Sequence, residues 1–207
     1  MELIGPYLAG CLLLVGAGLA KVLRPADTAR ALAAVSAGHG ATTRRLGPVG
    51  ARRVVRLGAA AEAGLGLVGL LVLDSAIAGA LALSYGAFAA YVVVARRRGG
   101  PLATCGCFGT PDTPATRLHV VVNLGLATAA LAVAVAVAVA RNAGATALTP
   151  HVVAGVLRRQ PWHGVPLVLA ALACAWCLFH VLSTLPRLLA AHQGATGASL
   201  MEPTTRR

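Results

Sequence analysis

Charged residues, and acidic residues above all, are scarce in this chain of 207 residues. They make up 12% of it, and only six are Asp or Glu. A soluble domain carries about 25% charged residues. Hydrophobic residues account for 57% of the chain, and the mean hydropathy is +0.77. This composition excludes an ordinary soluble domain and predicts a protein whose main partner is membrane lipid.

Aromatic residues are also few, at 4% of the chain. The net charge of +12 would by itself suggest nucleic-acid binding. Nucleic-acid surfaces combine clustered cations with aromatic side chains, whereas the arginines here lie at the ends of apolar runs. We therefore predict no nucleic-acid partner.

Apolar runs long enough to cross a bilayer, which takes about 20 residues, occur five times. They cover approximately residues 3–22, 54–73, 75–95, 118–140 and 165–185. The second and third form a tight hairpin that turns at Asp74. The connector before the second run is expected to break at Gly47-Pro48, and the connector 141–164 to be irregular. The predicted fold is an all-α integral membrane helical bundle, multi-pass in the cell membrane.

The distribution of Lys and Arg predicts the orientation of these spans. Fifteen lie in the loops after the first and third spans and in the C-terminal tail, and three lie on the other side. Because basic loops stay in the cytoplasm, the N-terminus is predicted outside and the C-terminus inside. The loop between the third and fourth spans is then cytoplasmic.

That loop carries Cys105-Gly106-Cys107, two thiols separated by one glycine. A disulfide across one residue closes a small, strained ring, and strain makes a disulfide more oxidising. The pair therefore predicts redox chemistry. Binding of a soft metal and two free cysteines in a packed loop are the alternatives. No metal is assigned, because zinc prefers four ligands.

A polar stripe opens the fourth span. Thr116, His119 and Asn123 fall on one helix face. A nearby imidazole lowers the pKa of a thiol or shuttles its proton, so His119 is a candidate catalytic residue beside the dithiol. The alternative is a polar helix end that faces water.

Glu62 is the one acidic residue inside the apolar part of a span. An intramembrane carboxylate is costly and is either functional or paired inside the bundle. Gly58, Gly66 and Gly69 share its helix face, which allows another helix to approach closely. Lys21, near the end of the first span, is the candidate partner. Glu62 is thus predicted either to hold the bundle together or to relay protons.

The fifth span contains a CxxC pair, Cys174 and Cys177, followed by His180. It is a candidate second dithiol that exchanges electrons with the first, as in two-pair disulfide oxidoreductases coupled to a quinone. A quinone is accordingly the candidate cofactor. The alternative is two small residues in an apolar helix.

The order of these features resembles the MauE proteins, the methylamine-utilisation membrane proteins related to DoxX-like bundles. The features are a first helix that ends at Lys21, a helix with Glu62 and glycines, the element Cys105-Gly106-Cys107-Phe108-Gly109, and a helix with His119 and Asn123. The resemblance covers about residues 1–140 as a four-helix transmembrane domain. Residues 141–207, with a connector, the fifth span and a basic tail, are an extension.

The resemblance implies a role in maturing a disulfide-containing client, which in methylamine utilisation is the small subunit of methylamine dehydrogenase, with the help of a thioredoxin-like protein. That role lies outside the cytoplasm, whereas the charge count places the dithiol inside. The predicted function is support of thiol–disulfide redox or of client maturation. The alternatives are a non-enzymatic assembly scaffold and a transporter of small molecules or metals that uses Glu62, Asn123 and the intramembrane cysteines.

Overall fold

A computed structural model describes residues 3–26, 28–29, 42–98, 116–144 and 151–200. In chain order its elements are α1 (Ile4–Leu23), α2 (Thr42–Leu71), β1 (Val72–Leu73), α3 (Ser75–Arg98), α4 (Arg117–Asn142), β2 (His151–Val152), α5 (Val153–Arg158), a 3-10 turn (Pro161–Gly164) and α6 (Val165–Leu200). Within the described residues, five helices are long and apolar enough to cross a membrane. The predicted all-α membrane bundle is confirmed.

Long helices follow from the apolar runs because a backbone in lipid must satisfy its hydrogen bonds within the segment. Two helices extend past the predicted spans. α2 begins at Thr42 and runs through Gly47-Pro48, so the predicted break there is wrong. α6 continues to Leu200. Hydropathy reports which part of a helix lies in lipid, and a helix can continue into polar surroundings. Pro48 costs α2 one backbone hydrogen bond close to its start.

The first four long helices pack as two neighbouring pairs, and α1 has contacts with both pairs and with the last helix. α2 lies along α1, α3 lies along α4, and α6 and α4 also pack against α1. The main core centres on Tyr7, Leu14 and Leu81, and it includes Ala130 of α4 and Ala171 of α6. Since Ala171 belongs to this core, the fifth span is packed into the bundle.

Glycines bring α1 and α2 into close contact. A Cβ added at Gly66 would lie 2.7 Å from the carbonyl oxygen of Cys11, and one added at Gly69 would lie 2.8 Å from its Sγ. On the opposite helix, a Cβ at Gly18 would lie 2.6 Å from the carbonyl oxygen of Ala59. The close approach of another helix, predicted for the glycine face around Glu62, is confirmed at Gly66 and Gly69, where that helix is α1, whereas a Cβ at Gly58 would meet no atom within 4 Å.

The turn between α2 and α3 is tied down at Asp74. Its Oδ1 accepts hydrogen bonds from the backbone N–H of Ala76 at 2.7 Å and of Ile77 at 3.3 Å, which caps α3. Its Oδ2 lies 2.8 Å from Nη1 of Arg141 at the end of α4. These bonds, first among them the one from Ala76, hold the pKa of Asp74 below its usual value. The hairpin turn predicted at Asp74 is confirmed.

The connector after α4 returns to this turn. β2 pairs with β1 in an antiparallel ladder, with Val72 opposite Val152 and Leu73 opposite His151. The short helix α5 and a 3-10 turn follow. The prediction of an irregular connector is therefore wrong over residues 151–164. The elements there are too short to show a regular hydrophobic pattern in the sequence, and β2 forms only because it pairs with a strand that is distant along the chain.

Candidate functional site

Two of the four predicted site residues, Glu62 and His119, lie in the described part of the chain. Successive spans alternate in direction, so α1 and α3 end at the same side at which α2 and α4 begin. We call this the cavity end, and the side of Asp74 and the two strands the hairpin end. Glu62 and His119 both belong to the half of the bundle toward the cavity end. Cys105 and Cys107 lie outside the described residues.

Glu62 forms an ion pair with Lys21, as predicted. Oε2 of Glu62 accepts a hydrogen bond from Nζ of Lys21. Lys21, the only lysine in the chain, is 5% exposed, while the side chain of Glu62 is 23% exposed. The ammonium also lies 4.7 Å from the centre of the Phe88 ring. The cation is therefore held by a carboxylate and by an aromatic face.

Pairing is what makes these charges tolerable at this depth. An unpaired charge at the centre of a transmembrane helix costs about 2.5–3.5 kcal/mol on the insertion scale. Lys21 and Glu62 come from different helices, so their pairing also fixes α1 against α2. The close approach at Gly66 and Gly18 brings the two helices within reach of each other.

A cavity of about 350 Å³ opens beside this pair. It lies between the α1–α2 pair and α3. The wall on α2 includes Val54, Val55, Gly58 and Ala59, and the wall on α3 consists of Ala87, Phe88 and Tyr91. Lys21, Glu62 and Thr28 supply polar groups on an otherwise apolar lining. A cavity of this size, with few convergent polar groups, is typical of small-molecule sites.

His119 is buried just inside the start of α4, with 1% of its surface exposed. Its Nδ1 lies 2.8 Å from Oγ1 of Thr116 and 3.3 Å from the backbone N of Thr116, whose N–H donates to it. The ring also forms a hydrogen bond with the backbone of Leu182 in α6. The ring thus ties the entry of α4 to the last span, and the alternative that His119 faces water is excluded.

Asn123, one turn deeper, donates a hydrogen bond from Nδ2 to the carbonyl oxygen of His119 at 2.6 Å. Both residues line a smaller cavity of about 30 Å³ together with Tyr85, Phe88 and Leu182. Phe88 borders this cavity and the larger one. The His119 cluster and the Lys21–Glu62 pair are therefore neighbours on either side of one phenylalanine.

The other cysteines lie apart from these groups. Cys11 is fully buried between α1 and α2, whereas Cys174 and Cys177 are free and exposed on α6. The structure does not test the proposed relay between Cys174/Cys177 and the loop pair. Over the part of the chain that is described, no three His, Cys, Asp or Glu residues come together as a metal-binding group.

Sequence reasoning missed the aromatic side of the site. Tyr85, Phe88 and Tyr91 follow one another at steps of three along α3, and they are half of the six Phe and Tyr residues in the chain. The hydroxyl of Tyr85 donates to the carbonyl oxygen of Gly10, 2.5 Å away, which ties α3 to α1. In a chain so poor in aromatics, three on one helix face were a usable signal for a ring-lined cavity.

Comparison with known proteins agrees with this arrangement. The family model described as methylamine utilisation protein MauE matches residues 2–138, which covers α1 to α3 and most of α4. The chain therefore belongs to the MauE family, and it is a multi-pass membrane protein of that family. No curated protein and no solved structure matches it. Lys21, Glu62, Phe88 and His119 all lie within the matched region.

Proposed function

We propose that this protein supports thiol–disulfide exchange at the membrane, with Cys105 and Cys107 as the exchanging pair, and so assists the maturation of a disulfide-containing client. A thioredoxin-like protein would be the second protein partner. Membership of a family described by methylamine utilisation supports this role. So does the spacing of the two thiols, which favours an oxidising disulfide.

The observation that carries the proposal is an anchor at the entry of α4, nine residues after Cys107. Thr116 is the first described residue beyond that segment, and its N–H and hydroxyl both contact Nδ1 of the buried His119. His119 is in turn bound to Leu182. An exchanging dithiol gains from a fixed attachment because its partner must meet the sulfur in one geometry.

His119 has two candidate roles in this proposal. Its Nδ1 is engaged by Thr116 and its ring also bonds the backbone of Leu182, so we assign it as a positioning residue for the entry of α4. Tuning of a thiol pKa stays a prediction, and it requires Thr116 to release Nδ1. The rate at which Cys105 and Cys107 are alkylated, measured against pH, separates the two. If His119→Ala moves the midpoint of that profile, the ring tunes the thiols. If only the melting temperature falls, the ring has a positioning role alone.

Redox titration of the purified protein tests the exchange itself. The protein is equilibrated in glutathione buffers, and the peptide with Cys105 and Cys107 is quantified by mass spectrometry. We expect this pair to cycle with an oxidising potential, and to do so equally well in a Cys174→Ser/Cys177→Ser variant. Cycling of Cys174/Cys177 alone would show that the wrong pair was chosen. If neither pair cycles, and client maturation survives the Cys105→Ser/Cys107→Ser change, the protein acts as an assembly scaffold.

The side of the membrane decides which compartment the client occupies. The Lys/Arg distribution predicts an outside N-terminus and a cytoplasmic dithiol. A membrane-impermeant maleimide applied to intact cells and to inverted vesicles would locate Cys105 and Cys107, with Cys174 and Cys177 replaced by serine. Labelling in inverted vesicles alone is the expected result. Labelling of intact cells would place the dithiol outside, where the maturation role of the family lies.

The alternative of a transporter receives less support from the geometry. Glu62 and Asn123 line different cavities, which Phe88 separates. Cys174 and Cys177 lie on an exposed surface of α6. The residues that were expected to form one polar path through the bundle are therefore not brought together.

A further inference from the structure

The cavity beside Lys21 and Glu62 has the features of a ligand site that the dithiol chemistry leaves unassigned. We propose that it binds the headgroup of a lipid-soluble quinone. The ligand's role as electron acceptor rests on the proposed function, whereas its binding does not.

Charge comes first. Lys21 and Glu62 form a neutral pair, so the cavity favours a neutral ligand over an ion. The pair still offers a donor and an acceptor, since an ammonium has three N–H groups and a carboxylate two oxygens. Glu62 keeps 23% of its side chain exposed and lines the cavity. A neutral molecule with carbonyl or hydroxyl oxygens satisfies these groups.

The aromatic side chains of the lining favour a flat ligand. Phe88 and Tyr91 line the cavity from α3, and aliphatic side chains face them from α2. Aromatic side chains pair with other rings in stacked or edge-on arrangements. A flat, conjugated ring is therefore a better match than a phospholipid headgroup, which is bulky and carries a phosphate. The volume of about 350 Å³ suits one such headgroup.

The position of the cavity allows a lipid-soluble ligand to enter from the membrane. α2 packs along α1 and α3 along α4, and the cavity lies in the cleft between these pairs. Val54 and Leu57 on α2 are exposed, as is Leu83 on α3. In a membrane these surfaces meet acyl chains, so an isoprenoid tail can leave the cleft into lipid while the ring stays beside Lys21.

The redox balance is complete with a quinone. When two thiols form a disulfide, two S–H bonds break, one S–S bond forms, and two electrons and two protons are released. A quinone takes up two electrons and two protons and becomes a quinol. As a carboxylate in contact with the cavity, Glu62 can take up one of the two protons that the thiols release and then pass it to a ligand oxygen, which returns Glu62 to its ionised form. This gives a use to the proton-relay role predicted for Glu62.

Two glycines on α2 provide a matched test. A Cβ added at Gly58 or at Gly64 would meet no atom within 4 Å, so both positions accept a side chain. Gly58 lines the cavity, and Gly64 does not. Binding of decylubiquinone to the purified protein is measured by equilibrium dialysis. We expect saturable binding that weakens at least about tenfold in Gly58→Leu, about 1.4 kcal/mol, and stays within about twofold in Gly64→Leu.

A second variant, Phe88→Leu, removes the ring and keeps an apolar side chain, and it should also weaken binding. Absence of saturable binding, equal binding by Gly58→Leu and Gly64→Leu, or displacement of the quinone by phospholipid alone would overturn the proposal. The glutathione titration of Cys105 and Cys107 needs no quinone, so it fails or succeeds independently. Quinone binding without thiol cycling would refute the exchange function and leave the ligand site in place.

Discussion

Among the described residues, each end of the bundle has an ion pair, and the two pairs differ in the burial of the cation. At the cavity end, Lys21 is 5% exposed and its partner Glu62 borders a cavity. At the hairpin end, 42% of the Arg141 side chain is exposed and Asp74 lies in a turn between spans. In the first pair Lys21 lies in the last turn of α1 and Glu62 lies within the apolar part of α2, whereas the second pair joins a turn to the end of α4.

This difference separates two uses of charge in one fold. The hairpin end is held by several small contributions, namely a helix cap, an exposed ion pair and a two-residue strand ladder. Exposed ion pairs contribute little, typically below about 1 kcal/mol. The cavity end holds a cation, Lys21, that is 5% exposed and so cannot be hydrated easily. Charged side chains that are costly to bury in a membrane protein are more typical of a functional site than of a purely structural contact.

The largest expected effect is the loss of one member of the buried pair. Lys21→Met or Glu62→Leu should each lower the free energy of unfolding by about 3 kcal/mol, because removing one partner leaves the other as an uncompensated charge. The double variant should recover most of this loss. Cys11 is fully buried, so its reaction with a fluorogenic maleimide on heating reports the opening of α1 from α2.

That measurement uses a background in which the other four cysteines are serine. Asp74→Asn at the hairpin end is the matched control. Effects of Lys21→Met and Glu62→Leu that simply add in the double variant would mean that the pair is not coupled, and the contrast between the two ends would disappear.

The contact between α1 and α2 gives the next effect. The Cβ added by Gly66→Ala would lie 2.7 Å from the carbonyl oxygen of Cys11. Because this distance is too short, the two helices must separate. Overpacking of this kind costs about 1–3 kcal/mol. Gly64→Ala on the same helix meets nothing within 4 Å and should be neutral or slightly stabilising.

The same Cys11 assay compares these two variants, and the quinone-binding assay should show weaker binding in Gly66→Ala alone. A Gly66→Ala protein as stable as Gly64→Ala would mean that α1 and α2 are not in close contact at this point. The position of Lys21 relative to Glu62 would then need another explanation.

Much of this arrangement was readable from the sequence, for physical reasons. Apolar length fixes the five spans, and the cost of a lone carboxylate in lipid predicts that Glu62 has a partner. Lys21 was the available cation near the end of the first span. The polar stripe of His119 and Asn123 placed both residues on one helix face, which the structure brings into one cavity.

Other features depend on contacts between distant segments, which local patterns do not encode. The bond from His119 to Leu182 requires the last span to lie beside the start of α4. The pairing of β1 with β2 joins segments that lie on either side of two spans. The start of α2 and the end of α6 were also missed, because hydropathy marks the span within a longer helix.

The smallest expected effect is at the hairpin end. In Asp74→Asn the side-chain oxygen can still cap α3 through the N–H of Ala76, and only the ion pair with Arg141 is lost. We expect a loss below about 1 kcal/mol.

The pKa of Asp74 is lowered in the folded protein by the N–H of Ala76, then by Ile77 and Arg141. Its stabilisation is therefore complete above the unfolded pKa of about 3.9 and is lost as the pH falls through the lower folded value. Melting curves should accordingly show a constant difference between Asp74→Asn and the parent from about pH 5 to 8, which shrinks in more acidic buffer. Asp74→Ala, which also removes the cap, should cost about 1 kcal/mol more. A difference that grows on acidification, or that equals the effect of Glu62→Leu, would show that the hairpin end depends on its charge as strongly as the cavity end does.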